Sequence, residues 1–389
     1  MSNIVGTFST EKDIYDSFNK TSRYNLKDIF SDYWFDFLDF ASSKNIKIRS
    51  IVHKEVDRMM KCKSPHLGYN FFKCNNCNHE HFQYNTCKSR FCPSCGVKYA
   101  KERTHSILSK LISCPHRHLT FTIPDVLWPL FREKRSRLNL LFEAVNTTLS
   151  SWFTSQYKSE NYRPGFVCTV HTFGRDNKWN VHIHCLMAEM VMGNNQLYKK
   201  VDFFPFDMLR KRFQTILLKL LEKDIGKKEF TLLRNEIYLN YQDGFYVRAK
   251  KNEFPSSKKA LEYVLRYCGR PCFASYRILN IDDNDYITFW YQRSDDKLFV
   301  VEKIHVFKFI LRIIVHIYEK NFKTIRYYGF YASRKHKNFG LFKFLVDREK
   351  LSFFASLLKW RFLMLISFNK DPLLCPICGT AMEFQYVFV

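Results

Sequence analysis

Acidic residues are scarce in this chain. Its 389 residues hold 37 Asp and Glu against 62 Lys and Arg, a formal charge of +25. An imbalance spread along the whole length argues for a polyanionic partner, with nucleic acid first and an anionic membrane second. Long apolar runs are missing too. The most apolar stretches, such as HVFKFILRIIVHIY (305–318), are broken by Lys, Arg and His and are too short and too charged to span a bilayer. Membrane is therefore the weaker partner. No apolar segment follows a basic start, so no secretory leader is expected and the protein reads as cytoplasmic and nucleoid-associated. Internal repeats and long low-complexity linkers are also lacking, which sets aside repeat arrays and disordered tails.

Aromatic residues, by contrast, are plentiful at 17%, with 39 Phe and 22 Tyr, so a core is easily built. Tyrosines interleave with basic residues in RYYGFYASRKHK (326–337), a mixture suited to phosphate contact and base stacking, although most rings are expected in the core. The length exceeds what one core usually supports. Thirteen cysteines in a chain without a leader point to reduced thiols and metal, not disulfides.

The first sixty residues read as helices, with apolar spacing near 3.6 in IFSDYWFDFLDFA and IRSIVHKEVDRMM. A basic helix is expected at GVKYAKERTHSILSKLI, a strand at RHLTFTIP (117–124), and a long helical region over 126–158. GFVCTVHTF and VHIHCLMAE read as paired strands joined around GRDNKWN. Residues 206–223 read as a helix followed by an irregular segment to about 256, and SSKKALEYVLRYCG as a capped helix stopped by Gly269 and Pro271. Strands are expected at DYITFWYQR and KLFVVEKI, then further helices. The expected division is a helical region (1–61), a zinc-binding domain (62–112), a catalytic domain (113–275) with a helical insertion near 193–255, and an α/β region (276–389) ending in a Cys-Pro-x-Cys knuckle.

Residues 62–96, CKSPHLGYNFFKCNNCNHEHFQYNTCKSRFCPSCG, hold two Cys-x-x-Cys knuckles at zinc-ribbon separation. Cys74, Cys77, Cys92 and Cys95 are expected to complete one four-coordinate structural zinc. Cys62 and Cys87 remain, near His66, His79 and His81, either as ligands of a second zinc or as buried free thiols. Lys88, Arg90, Lys98, Lys101 and Arg103 flank the block and are candidate DNA contacts. Cys375 and Cys378 form another knuckle, which either completes a site with distant residues or is a ribbon cut short.

His182 and His184 share one face of their strand, because alternate residues do. They are either satisfied strand histidines or a two-pronged metal site. Tyr263 and Tyr267, four apart, share one face of the helix expected there, either as rings packing a core or as a pair of reactive phenols. A phenol near a divalent cation can attack a phosphodiester, and two phenols permit two successive strand transfers. A hairpin centred near Asn177 and Lys178 would place His171 opposite His184, either as a third ligand or as a structural histidine of the HTFGR turn. Arg266 and Arg270 could clamp phosphates or cap the helix end.

The order HLTFTIP, VHIH, YVLRY, together with CKSRFCPSCGVKYAKER, HTFGRDNKWNVHIHCL and FKTIRYYGFYASR, resembles insertion-sequence transposases of the two-tyrosine, rolling-circle HUH class that carry an N-terminal zinc-binding domain. The resemblance spans nearly the whole chain. It implies an α+β fold, an HUH-endonuclease-like palm of antiparallel strands with helices behind it, preceded by a helical and zinc-ribbon domain. It further implies Mg²⁺ or Mn²⁺ on His182 and His184, and Tyr263 and Tyr267 as nucleophiles. The implied reaction cuts single-stranded DNA at one end of a mobile element, holds the 5′ end as phosphotyrosine and joins it to a target. The sequence departs from the pattern at Val181, where proline is expected, at Ser294, where a histidine is expected nearby, and in HIYEKNF. Three other readings stay open: an HUH replication initiator, a transposase of the three-carboxylate type, and a zinc-containing DNA-binding protein without catalysis. The sequence does not give the oligomeric state.

Overall fold

Alternation and burial in residues 116–192 lay out the central sheet of the protein. The computed structural model describes residues 3–18, 24–156, 162–193, 198–201, 203–249, 272–293, 295–332 and 348–389. The fold is α+β, with antiparallel sheets and helices. The largest sheet contains β4 (His116–Thr122), β5 (Arg163–Phe173), β6 (Trp179–Met192), β7 (Tyr198–Lys200), β8 (Val247–Ala249) and β12 (Ile325–Gly329). Its order is β12-β5-β6-β4-β8, and β7 pairs with the far end of β6.

The two faces of this sheet have different partners. Leu119 and Phe121 of β4, Phe166, Cys168 and Val170 of β5, and Val181, Ile183, Cys185 and Met187 of β6 pack into one core with the helices. Those helices are α5 (Trp128–Glu133), α6 (Leu138–Gln156), α7 (Phe206–Ile225) and α8 (Lys227–Asn240). Helix α6 buries Leu138, Leu141, Phe142, Val145, Leu149, Trp152 and Phe153, a stripe at helical spacing. Each such large side chain contributes about 1.5–3 kcal/mol when fully buried. On the opposite face, Val167, Leu186, Ala188 and Met190 meet Ile107, Leu108, Leu111 and Ile112 at the end of α4 (Pro93–Leu108). The histidines of β4, β5 and β6 lie on this second face, toward the cysteine-rich region.

A further core joins the beginning of the chain to its later part. Helix α2 (Leu26–Ser43), started by an Asn25–Asp28 capping box, and α3 (Ser50–Met60) pack against α9 (Val306–Ile314). They also pack against β9 (Ile278–Ile281), β10 (Tyr286–Gln292) and β11 (Phe299–His305). Cys62, Cys87, Cys92 and Cys95 belong to the same core. The third sheet is small: β2 (Tyr69–Lys73), β3 (Glu80–Tyr84) and β13 (Glu383–Phe388), in the order β13-β2-β3.

Two expectations are corrected. The first sixty residues are not all helical: β1 (Asn3–Phe8) pairs antiparallel with β11, a long-range pairing that local spacing does not signal. Residues 227–240, read as irregular, form α8, because burial of Phe230 and Ile237 against the core fixes the segment. The helix expected over 256–269 lies outside the described residues. No helix among the described residues is long and apolar enough to cross a membrane.

Candidate active site and metal centres

The hairpin β5–β6 builds the histidine cluster. His171 faces His182 across the strands, and Thr169 faces His184. The expected partner of His171 was His184. The turn instead closes between Gly174 and Lys178, whose backbone bond Gly174 N–H to Lys178 O is 3.1 Å, with Asn177 in the left-handed region at φ 60°. A register irregularity between His171 and Phe173 completes the shift. A shift of two residues keeps side chains on the same face, so the three rings still converge. One ligand atom from each of His171, His182 and His184 lies within 4.8 Å of the others.

The turn is itself anchored. Asn177 is 1% exposed, and its carbonyl lies 2.9 Å from His316 Nε2. Thr172 Oγ1 sits 3.1 Å from His316 Nδ1, and the ring stacks on Trp179. With Nε2–H donating to the carbonyl, Nδ1 accepts from the threonine hydroxyl. Arg312 donates to the Asp176 carbonyl at 3.4 Å while paired to both oxygens of buried Glu302 at 2.8 Å. The end of α9 and the residues after it thus hold the hairpin that presents the histidines.

Burial sets the charge state of the cluster. Desolvation first, then the neighbouring His171, pushes His182 down to about 3 and His184 well below its ordinary value. Both rings are neutral near pH 7 and so carry a lone pair for a metal. His182 Nδ1 lies 3.1 Å from the Asn180 carbonyl, which fixes its proton there and leaves Nε2 as acceptor. The two Nε2 atoms of His182 and His184 are 3.1 Å apart. Two nitrogens about 2.1 Å from one ion would be separated by about 3.0 Å at a right angle and about 3.4 Å at a tetrahedral angle. The donor set therefore fits a divalent cation.

His118, which the sequence reading missed, completes the arrangement. Its Nε2 lies 2.9 Å from His184 Nδ1 and 3.0 Å from Thr120 Oγ1. For His184 Nε2 to face an ion its proton must be on Nδ1, donated to His118, the usual support of a metal-bound imidazole. The signal available was HRHLTFT itself: His118 and Thr120 alternate on the strand next to VHIH. His316 was visible only as part of HIYEKNF.

Beside His171 opens a cleft of about 390 Å³ lined by Arg58, Lys88, Arg90, Tyr99, Tyr318 and Lys320, among others. Arg90 already bonds Thr324 Oγ1 at 2.6 Å and the Phe322 carbonyl at 3.3 Å, and lies between the Tyr99 and Tyr318 rings. Lys98 lines a second cavity, as do Phe368 and Asp371, and Arg103 packs over Tyr99. Tyr263, Arg266, Tyr267 and Arg270 lie outside the described residues.

The cysteines pair differently from the expected single ribbon. Cys62, Cys87, Cys92 and Cys95 form one buried cluster, and Cys74, Cys77, Cys375 and Cys378 form another. Knuckle spacing shows that two thiolates share an ion but not which knuckle completes the set, and here the chain crosses between sites. His66, His79 and His81 belong to neither cluster. In the first, Cys62 and Cys87 each lie 3.6 Å, sulfur to sulfur, from Cys95. Four thiolates about 2.3 Å from zinc at tetrahedral angles are about 3.8 Å apart, so the cluster fits structural zinc.

A basic chain with a four-thiolate cluster ahead of an antiparallel sheet bearing clustered histidines has the parts of a metal-dependent DNA-processing protein. Residues 29–123 match the family model described as "Transposase zinc-binding domain", and residues 165–338 match the one described as "Putative transposase". The chain is 26% identical over 380 residues to the "Transposase for insertion sequence element IS801" of Pseudomonas savastanoi pv. phaseolicola, covering 92% of this chain and 88% of that protein. It is 26% identical over 291 residues to the "Putative transposase y4qJ" of Sinorhizobium fredii (strain NBRC 101917 / NGR234), covering 70% of this chain and 72% of that protein. No solved structure matches. The chain belongs with the insertion-sequence transposases, and its zinc-binding domain holds structural zinc.

Proposed function

We propose that this transposase cuts and rejoins single-stranded DNA through a 5′-phosphotyrosine intermediate. His171, His182 and His184 hold Mg²⁺ or Mn²⁺, and Tyr263 and Tyr267 are the nucleophiles. The observation that carries this reading is the convergence of three imidazoles, two of them kept neutral by burial, beside a cleft with basic residues. A bound divalent ion would supply polarisation of a phosphate oxygen.

The chain's residues do the rest. His118 and the Asn180 carbonyl fix the ring protons of His184 and His182. Arg58, Lys88 and Lys320 line the approach and hold backbone phosphates, with Arg266 and Arg270 as further clamps. A tyrosine oxygen bonds to phosphorus as the bond to the 3′ oxygen breaks. The 3′ oxygen leaves as a hydroxyl, taking up a proton while the phenol gives one to solvent, and the 5′ end stays on the protein. A 3′ hydroxyl of the target then attacks the phosphotyrosine and releases the phenol. The second tyrosine permits a second transfer. We assign these steps to residues 113–275, with 1–61, 62–112 and 276–389 bringing the DNA to them.

The test uses single-stranded and duplex oligonucleotides from both flanks of the coding sequence, with Mg²⁺ or Mn²⁺. The proposal expects metal-dependent cleavage of one single strand, abolished by His182→Ala with binding retained. Cleavage that persists in His182→Ala, or that needs duplex DNA, overturns it.

A further inference from the structure

We propose that Cys74, Cys77, Cys375 and Cys378 hold a second structural zinc, which clamps the C-terminal strand β13 onto the zinc-binding domain. The four sulfurs come together from positions about 300 residues apart: Cys74 lies 3.4 Å from Cys378 and Cys77 lies 3.5 Å from Cys375. These separations approach the spacing of about 3.8 Å that tetrahedral thiolates take around zinc. All four are free thiols, not disulfides.

The backbone at both knuckles is shaped alike. The Cys74 amide donates to the His79 carbonyl and the Cys375 amide to the Thr380 carbonyl, both at 2.9 Å. The residue after the second cysteine is left-handed in each, Asn78 at φ 56° and Gly379 at φ 72°. Lys63 and Lys88, which follow ligands Cys62 and Cys87 of the first site, are left-handed too, at 57° and 55°. A non-glycine residue is rarely found there, so its recurrence immediately after cysteines at both clusters marks one construction used twice.

Strand pairing supports the same site independently. Strand β13 adds antiparallel to β2, Glu383 opposite Lys73 through Phe388 opposite Tyr69. Phe388 stacks on Tyr69 and Tyr386 meets Phe71. Beneath them the buried core among the described residues is only Phe72, Cys74, Cys375 and Met382, with Leu373 against it. So small a core cannot hold three strands alone, and metal binding supplies the missing folding free energy. Cys77 and Cys378 are exposed, whereas all four ligands of the first site are buried. The second ion is therefore the one that a chelator reaches first.

The test uses the full-length protein purified without chelator. Elemental analysis should give two zinc ions per chain, and cobalt titration of the zinc-free protein should give two equivalents with thiolate-to-cobalt absorption. Cys375→Ser/Cys378→Ser and Cys74→Ser/Cys77→Ser should each retain one zinc, and each should lose the faster phase of zinc release to a colorimetric chelator. In Cys74→Ser/Cys77→Ser a protease should cut the distant C-terminal segment that it spares in the wild type. One zinc and one cobalt equivalent in the wild-type protein would overturn the proposal. So would two zincs in either serine variant, or an unchanged C-terminal protease pattern.

Discussion

His118 offers a sharp test of how the histidine cluster is held. Its Nε2 is the acceptor, 2.9 Å away, for the Nδ1 proton that His184 must carry when its other nitrogen faces an ion. His118→Phe keeps a ring of similar size in the strand and removes that acceptor. Loss of one partner from a buried hydrogen bond costs about 1–3 kcal/mol, and loss of a supporting contact to a metal-bound histidine typically weakens metal binding about 10–100-fold. The two figures agree, since a factor of ten is about 1.4 kcal/mol. The Mn²⁺ concentration at half-maximal cleavage should therefore rise about 10–100-fold, with cleavage at saturating Mn²⁺ near wild type. His118→Gln, whose amide oxygen can accept, should recover part of the loss. Calorimetric titration with Mn²⁺ alone gives the same comparison without DNA. If His118→Phe folds normally and its Mn²⁺ midpoint stays within about twofold of wild type, the supporting role assigned to His118 is wrong.

Two further predictions concern the anchored turn. Burial, foremost, holds His316 down to about 3 from an ordinary 6.5, so the folded protein keeps it neutral while the unfolded chain protonates it. Its contribution is fully present above pH 6.5 and is lost as pH falls from there toward 3. At about pH 5 the loss is about 2 kcal/mol for this residue alone, so the difference in denaturation free energy between about pH 7 and pH 5 should shrink by that amount in His316→Phe; an identical pH dependence would contradict the assignment. Glu302→Ala leaves the partly buried Arg312 without its carboxylate partner and loosens its hold on the Asp176 carbonyl. It should destabilise the fold by about 3–5 kcal/mol in urea melts, and Glu302→Ala/Arg312→Met should recover much of that.

The strands that present the histidines were legible because alternation is a local property. Hydrophobic residues at 181, 183, 185 and 187 faced the helices, which leaves His182 and His184 together on the other side. The register was not legible, since it depends on where the turn closes, and that is decided by contacts from His316 and Arg312 more than 130 residues away. The error of two residues was harmless to the site because it preserved the face. The cysteines behaved similarly: each Cys-x-x-Cys was recognisable, but the partner of Cys74 and Cys77 lies at the other end of the chain. His118 was not legible as a support, because its place beside His184 depends on the pairing of β4 with β6, strands more than 50 residues apart. Strand β1 was not legible either, its partner β11 being nearly 300 residues away.

The covalent intermediate tests the central claim most directly. Single-stranded flank oligonucleotides labelled at the 3′ end, incubated with the protein and Mn²⁺, should yield labelled protein that survives denaturation. Proteolysis and mass spectrometry should then place the nucleotide on Tyr263 or Tyr267, and Tyr263→Phe/Tyr267→Phe should abolish the adduct while still binding DNA. Cleavage without any protein-linked label, or an adduct that persists in the double variant, would contradict the account.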